Sequence, residues 1–328
     1  MNRFEWVDAH SVDQALAAVT DDAAFKAGGI DLLDLMKDGI AKPSRLVNIR
    51  HISGLDQINE DEKNLRIGPL VTLTHIEEHA TIQRKYTALS EAASRIATPQ
   101  IRNMATIGGN LAQRPRCWYF RSEDFHCRKK GGTHCFAQDG ENDYHAIFDN
   151  RVCAIIHPSG MAIPLVAMNG RVEITTKKGK REVALEEFFT SPEHDIRREN
   201  ILEPGELITS IIVPAGEART AYYKLGEKES FDWPIADVAV ALTVQGSHCS
   251  KASVVLGGAA PYPYRAQAAE AKLNNSEITA DSARAAAEAA MAHATPLEKN
   301  AYKIPIFEAI IRRTILRAAG VNTEGVAA

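Results

Sequence analysis

The sequence predicts an α+β protein in two domains, and three observations predict it. Short apolar strands alternate with helical stretches as far as a Pro214-Ala215-Gly216 break. Beyond that break the candidate strands come first and two helical stretches last, the order of a separate small α+β unit. At 328 residues, 45% of them hydrophobic, the chain is long enough to bury a core in each of two domains, 1–216 and 217–328.

Taken in order, residues 11–18 read as a short helix, with Ser11 as N-cap and Gln14 three residues on. Residues 25–36 read as a strand end, a glycine turn and a helix. Residues 45–49 and 65–67 read as strands, and 89–96 as a helix stopped near Pro99. Gly108-Gly109 reads as a second glycine turn. Residues 115–151 then lose apolar periodicity and fill with Gly, His, Arg, Lys and Cys; a loop of that length is usually functional or disordered, and its cysteines argue against disorder. The pattern resumes with a helix at 161–167 and strands at 171–176 and 207–213. The second domain offers strands at 220–224, 238–244 and 252–256, an alanine-rich helix at 281–293 and an amphipathic one at 306–319, with Ile306, Ile310, Ile311 and Ile315 at helical spacing. Residues 320–328 are expected to fray.

A net charge of -4 gives no reason to expect nucleic-acid binding. No stretch approaches the roughly 20 apolar residues that span a bilayer. The first ten residues carry Glu5 and Asp8 and no apolar run, so no signal peptide of the chain's own is expected, and cytoplasm is the default compartment.

Of the five cysteines, Cys117, Cys127, Cys135 and Cys153 fall in one stretch, while Cys249 stands apart and reads as a buried small hydrophobe. Four thiolates can complete a [4Fe–4S] cluster, with Gly131-Gly132 letting the backbone approach and Arg116, Arg121, Arg128, Lys129 and Lys130 offsetting its charge. The same cysteines could hold zinc with His126, His134 or His145, although the close cysteine pairs usual in structural zinc sites are missing. Spacing alone leaves cluster and zinc both open, with disulfides behind. Ala27-Gly28-Gly29-Ile30-Asp31-Leu32 and Ala105-Thr106-Ile107-Gly108-Gly109-Asn110 each suit an anion-cradling turn, since glycine lets backbone N–H groups converge on a phosphate. Neither is a Walker A loop or a dinucleotide fingerprint, and each by itself is an ordinary tight turn.

Together these segments resemble the FAD-binding subunit of the xanthine dehydrogenase and carbon monoxide dehydrogenase family over nearly the whole chain. Residues 27–32 are similar to the family's A-G-G-T-D-L, and Leu65-Arg66-Ile67-Gly68 with Thr72 to its L-R-I-G-A-x-x-T. Residues 105–111 are similar to T-I-G-G-N-I/L, and Pro158-Ser159-Gly160-Met161-Ala162 to P-S-D-M-A. The resemblance implies a two-lobed FAD-binding domain of the vanillyl-alcohol-oxidase type, followed by the family's small α+β flavoprotein domain. It implies FAD-binding residues Lys26, Ala27, Gly28, Gly29, Ile30, Asp31, Leu32 and Leu33 in a first pyrophosphate cradle. Ala105, Thr106, Ile107, Gly108, Gly109 and Asn110 would form the second, with Gly160, Ile208 and Lys224 near the flavin. Two departures stand out: Ile30 replaces a threonine, losing a hydroxyl to phosphate, and Gly160 replaces an aspartate that commonly contacts FAD.

The cysteine-bearing stretch, at about 115–153, resembles an insertion found in two relatives: the flavin subunits of periplasmic aldehyde oxidase, which is the nearer, and of 4-hydroxybenzoyl-CoA reductase. It implies a [4Fe–4S] cluster on Cys117, Cys127, Cys135 and Cys153. The implied partners are a large molybdenum-cofactor subunit and a small subunit with two [2Fe–2S] clusters, and the implied complex oxidises an aldehyde or N-heterocycle. Electrons pass from substrate through those clusters and FAD to an external acceptor, so no general base or nucleophile is expected here; His10, His51, His75, His79 and His248 are structural or surface residues. Export folded with a partner's signal would place such a chain in the periplasm. The other readings are a reductive aryl-CoA enzyme with electrons flowing inward, a stand-alone flavin oxidase, and a zinc-stabilised binding module without flavin.

Overall fold

The computed structural model describes residues 1–228 and 231–321; residues 322–328, most of the tail expected to fray, lie outside the described residues. The first lobe is built from β1 (Glu5–Asp8), α1 (Val12–Ala18), β2 (Ala23–Lys26), α2 (Ile30–Lys37) and β3 (Arg45–Asn48). Its three strands are parallel in the order β1-β3-β2, the arrangement that helical crossovers produce. Ser11 caps α1 by accepting the Gln14 N–H at 3.1 Å, as the sequence predicts, whereas the Gln14 side chain accepts from His10 rather than from Ser11 itself.

The second lobe holds β4 (Ile58–Glu60), β5 (Asn64–Ile67), β6 (Arg171–Thr176), β7 (Gly179–Ala184) and β8 (Leu207–Pro214), antiparallel in the order β4-β5-β8-β6-β7. Between β5 and β6 lie α3 (Leu73–Glu78), α4 (Ala80–Lys85), α5 (Thr87–Ser94), α6 (Pro99–Arg102), α7 (Ile107–Leu111), α8 (Trp118–Arg121) and α9 (Ala162–Ala167), and α10 (Leu185–Phe188) follows β7. Pro99 opens α6 at the first helical position, where its missing N–H costs nothing, while α5 has already ended at Ser94. Leu65, Ile67, Ile76, Leu89, Ile107, Val172 and Ile211 form the shared core of this lobe.

The third unit has β9 (Arg219–Leu225), β10 (Ala236–Gln245), β11 (His248–Gly257), β12 (Tyr264–Arg265), α11 (Gln267–Leu273), β13 (Ser276–Glu277), α12 (Ala280–Met291) and α13 (Lys303–Ala319). Its sheet runs β12-β11-β10-β9, with β13 on β11, and α12 and α13 cover one face through Ala283, Ala287, Ile311 and Ile315. The cysteine stretch is bolted to this unit. Ile147 and Phe148 enter its core and donate their N–H groups to Ala259 at 2.9 and 3.1 Å, and Asn300 donates to the carbonyls of Asn142, His145 and Ala146.

Candidate functional site: a glycine cradle, a cleft and a cysteine cavity

The first glycine segment ends β2 and starts α2. A Cβ on Gly28 would lie 1.9 Å from the Met104 carbonyl oxygen, so the segment touches the chain just before the second glycine motif. The two motifs, nearly eighty residues apart in sequence, are therefore neighbours. Gly29 has φ +82°, a left-handed conformation that glycine adopts without penalty, and it opens α2 with no side-chain cap. Among the described residues the amide N–H groups of Gly28 to Leu32 meet no acceptor. Free donors at a helix N-terminus form a phosphate-binding geometry, so these residues fit a pyrophosphate. Lys26 stands at the rim with Arg50 nearby; burial, then the Arg50 charge, lowers its pKa from the ordinary lysine value. Ile30, where a threonine was expected, is 39% exposed.

The second motif differs from expectation. Gly108-Gly109 is not a turn but part of the single helical turn α7, with Thr106 as N-cap. Its amides are already used: Ile107 donates to Val71 O, Gly108 to Pro69 O, Gly109 to Thr106 Oγ1 and Asn110 to Thr106 O. Residues 106–110 follow directly on Met104 and Ala105, the segment that Gly28 touches. Asn110 Oδ1 accepts from Ser159 Oγ at 2.6 Å and from Met161 N, which ties this motif to the Pro158-Ser159-Gly160 run.

The Asp31 side chain turns away from the cradle. It accepts the Arg114 N–H at 2.8 Å and pairs with Arg116 and Arg121, each at 2.7 Å. Lys129, almost wholly buried, pairs with buried Glu199 at 2.5 Å, and Glu199 also pairs with Arg114. The cations expected to balance a cluster are therefore committed: Arg116 and Arg121 to Asp31, Lys129 to Glu199, Arg128 to the Thr133 and Val152 carbonyls, and Lys130 to Ser122 O. Their long-range partners carried no local signal in the sequence.

A cleft of about 140 Å³ gathers Gly160, Lys224, Ile96, Tyr222, Trp233 and Asp237. It continues through shared Pro158, Asp232, Trp233 and Pro234 into a larger cavity of about 370 Å³ that includes Trp118 and Tyr144. Lys224 donates to Arg95 O at 2.7 Å, and burial lowers its pKa. Tyr222 OH donates to Asp237 Oδ2 at 2.9 Å; burial pushes Asp237 up to about 6 and raises Tyr222 well above the ordinary phenol range. Ile208, by contrast, sits in β8 opposite Ile174 and is buried in the core of the second lobe, apart from the residues that line this cleft.

Cys117, Cys127, Cys135 and Cys153 line one narrow cavity together with His145 and Lys129. All four are free thiols, which sets the disulfide reading aside. Among the described residues no three or more His, Cys, Asp or Glu side chains form a group that could hold a metal ion. The Cys153 thiol bonds Cys135, holding Cys135 down to about 6 and Cys153 above the thiol range, while burial pushes Cys117 up to about 11. His145 Nε2 lies 3.3 Å from Cys117 Sγ, and burial, then the Lys303 charge, pushes its pKa down to about 4. Cys117 and His145 also line the larger cavity, so the cysteine cavity and that larger cavity share a wall. Cys249 is fully buried in the third unit, as its isolation in the sequence predicts.

Residues 2–216 match the family described as the FAD binding domain in molybdopterin dehydrogenase, and residues 221–318 match the CO dehydrogenase flavoprotein C-terminal domain. The chain belongs to the FAD-binding subunits of the molybdenum hydroxylases. It is 36% identical, over 86% of its length and 87% of the relative's, to the aldehyde oxidoreductase FAD-binding subunit PaoB of Escherichia coli (strain K12). It is 27% identical to the nicotine 6-hydroxylase medium subunit of Paenarthrobacter nicotinovorans, over 92% of both chains. Its fold matches a chain of the carbon monoxide dehydrogenase of Hydrogenophaga pseudoflava with a TM-score of 0.75 and 29% identity, over 97% of this chain and 98% of that one. FAD is thus its cofactor, and it is an oxidoreductase subunit. The free amides of residues 28–32 fit that cofactor's pyrophosphate. No helix among the described residues is long and apolar enough to cross a membrane.

Proposed function

We propose that this chain is the electron-transferring flavin subunit of a multi-subunit molybdenum hydroxylase that oxidises an aldehyde or N-heterocycle, and that it also carries a [4Fe–4S] cluster on Cys117, Cys127, Cys135 and Cys153. The observation that carries the reading is the shared wall. The cavity lined by the four cysteines meets, at Cys117 and His145, the larger cavity that continues into the cleft of Gly160, Tyr222 and Lys224. Two redox groups on either side of that wall would be close enough to exchange electrons. A cubane takes one sulfur on each of its four irons, and four free cysteines around one cavity supply that number. The names of the relatives, an aldehyde oxidoreductase FAD-binding subunit and a hydroxylase medium subunit, support the substrate class and a multi-subunit complex.

FAD, when bound, accepts electrons singly and passes them on in pairs. The protein's part is to hold and insulate. The amides of Gly28 to Leu32 would hold the phosphates, Lys224 and Tyr222 would line the flavin's cleft, and Trp118 and Trp233 would wall its approach. The expected partners are a large molybdenum-cofactor subunit and a small subunit with two [2Fe–2S] clusters; periplasmic placement would follow export with such a partner.

The test is iron and flavin content in Cys117→Ser, Cys127→Ser, Cys135→Ser and Cys153→Ser. Loss of about four irons per chain with FAD retained is expected. Iron equal to the wild-type value in all four variants would end the cluster assignment.

A further inference from the structure

The cleft contains a buried acid that the glycine cradle does not use. Asp237 is 1% exposed; its Oδ2 accepts the Tyr222 hydroxyl at 2.9 Å and its Oδ1 has no partner among the described residues. Tyr222 is itself buried, and both residues line the cleft with Lys224 and Gly160. A Cβ on Gly160 would stand 3.6 Å from the Tyr222 hydroxyl, with Ile96 at 3.1 Å on the other side. A carboxylate on residue 160 would therefore reach the hydroxyl that Asp237 now holds from the opposite strand. Residue 160 is also the position where the chain departs from a Pro-Ser-Asp run.

We propose that Tyr222 contacts the bound flavin and that Asp237 is its positioning residue, supplying from β10 the carboxylate that residue 160 lacks. Because the hydroxyl gives its proton to Asp237, its lone pairs are left to accept. It therefore suits a donor on the cofactor, either an isoalloxazine N–H or a ribityl O–H. A buried carboxylate is a strong acceptor, and it fixes the hydroxyl's direction against rotation. The inference rests on FAD binding in this cleft, not on the cysteine cavity.

The experiment titrates FAD into the flavin-free full chain, read by flavin fluorescence, for wild type, Tyr222→Phe, Asp237→Asn and the double variant Asp237→Asn with Gly160→Asp. Asparagine keeps the size of the side chain and can donate to the hydroxyl, turning its proton toward the cleft. Each single variant is expected to weaken FAD binding by about tenfold, the scale of one buried hydrogen bond. The double variant should recover affinity, because the new carboxylate again accepts from the hydroxyl. The melting midpoint of the flavin-free chain separates folding from binding. Affinity within twofold of wild type in both single variants overturns the proposal, and so does a loss that Gly160→Asp does not relieve. A wild-type chain that binds no FAD would instead overturn the flavin site itself.

Discussion

Gly28 gives the sharpest test of the cradle. In Gly28→Ala the new Cβ would lie 1.9 Å from Met104 O and 2.9 Å from its carbonyl carbon, where ordinary contact begins at 3.4 Å. The obstacle is backbone on both sides, so no flexible side chain can yield; the end of β2 and the segment before α7 must separate by about an ångström. Overpacking of this kind costs about 1–3 kcal/mol, and the displaced segment carries the free amides of Gly28 to Leu32. FAD binding should fall at least tenfold, with the melting midpoint down by roughly 2–4 °C per kcal/mol lost. Gly216→Ala, where nothing lies within 4 Å of the added carbon, is the matched control and should stay within about 0.5 kcal/mol of wild type. Flavin-to-protein absorbance ratio and thermal unfolding read both effects. A Gly28→Ala chain with a full complement of FAD and an unchanged melting midpoint would refute the reasoning.

Glu199→Ala should destabilise the chain by about 3–5 kcal/mol, since it strands buried Lys129 and leaves Arg114 without its carboxylate; chemical denaturation measures this. Asp31→Asn should loosen the cysteine stretch from α2 by weakening its bonds to Arg114 N, Arg116 and Arg121, at a cost of about 2–4 kcal/mol; proteolysis within residues 114–121 should rise. His157 is wholly buried beside Phe189, and burial, then Lys129, pushes its pKa down to about 3 from 6.5. Its folded pKa is lowered, so the unfolded chain binds the extra proton first. Its contribution is therefore present above 6.5 and lost as pH falls toward 3, with a slope of up to about 1.4 kcal/mol per pH unit. Asp237, pushed up to about 6, works in the opposite direction over part of that range, so the diagnostic quantity is the difference between wild type and His157→Gln. Equal acid slopes in the two proteins would remove His157 from the account.

The parts of the fold legible in the sequence are those set by local rules. The Ser11 cap, the left-handed glycine before α2 and the apolar stripe of α13 each follow from residues within a few positions of one another. What was not legible depends on distant partners. Gly108-Gly109 reads as a donor turn until Pro69 and Val71 supply acceptors for its neighbourhood. Arg116 and Arg121 read as counter-charges until Asp31, more than eighty residues earlier, is seen between them. The burial of Ile208 depends on β8 taking the central place in its sheet beside Ile174, more than thirty residues earlier. Short strands such as β4, three residues long with no buried residue, carry too little alternation to be read at all. The site itself divides the same way: the cradle and the cysteines could be named from motifs, whereas Tyr222 and Asp237 reach the cleft from the third unit and His145 reaches the larger cavity from the cysteine stretch.

The most direct test of the account is a visible spectrum with metal analysis on the purified full chain, prepared without oxygen. The account predicts flavin bands over a broad iron–sulfur shoulder, with about one FAD and four irons per chain and no zinc. A flavin spectrum without iron would contradict the cluster and leave a flavin subunit, while a colourless protein containing zinc would contradict the electron-transfer reading as a whole.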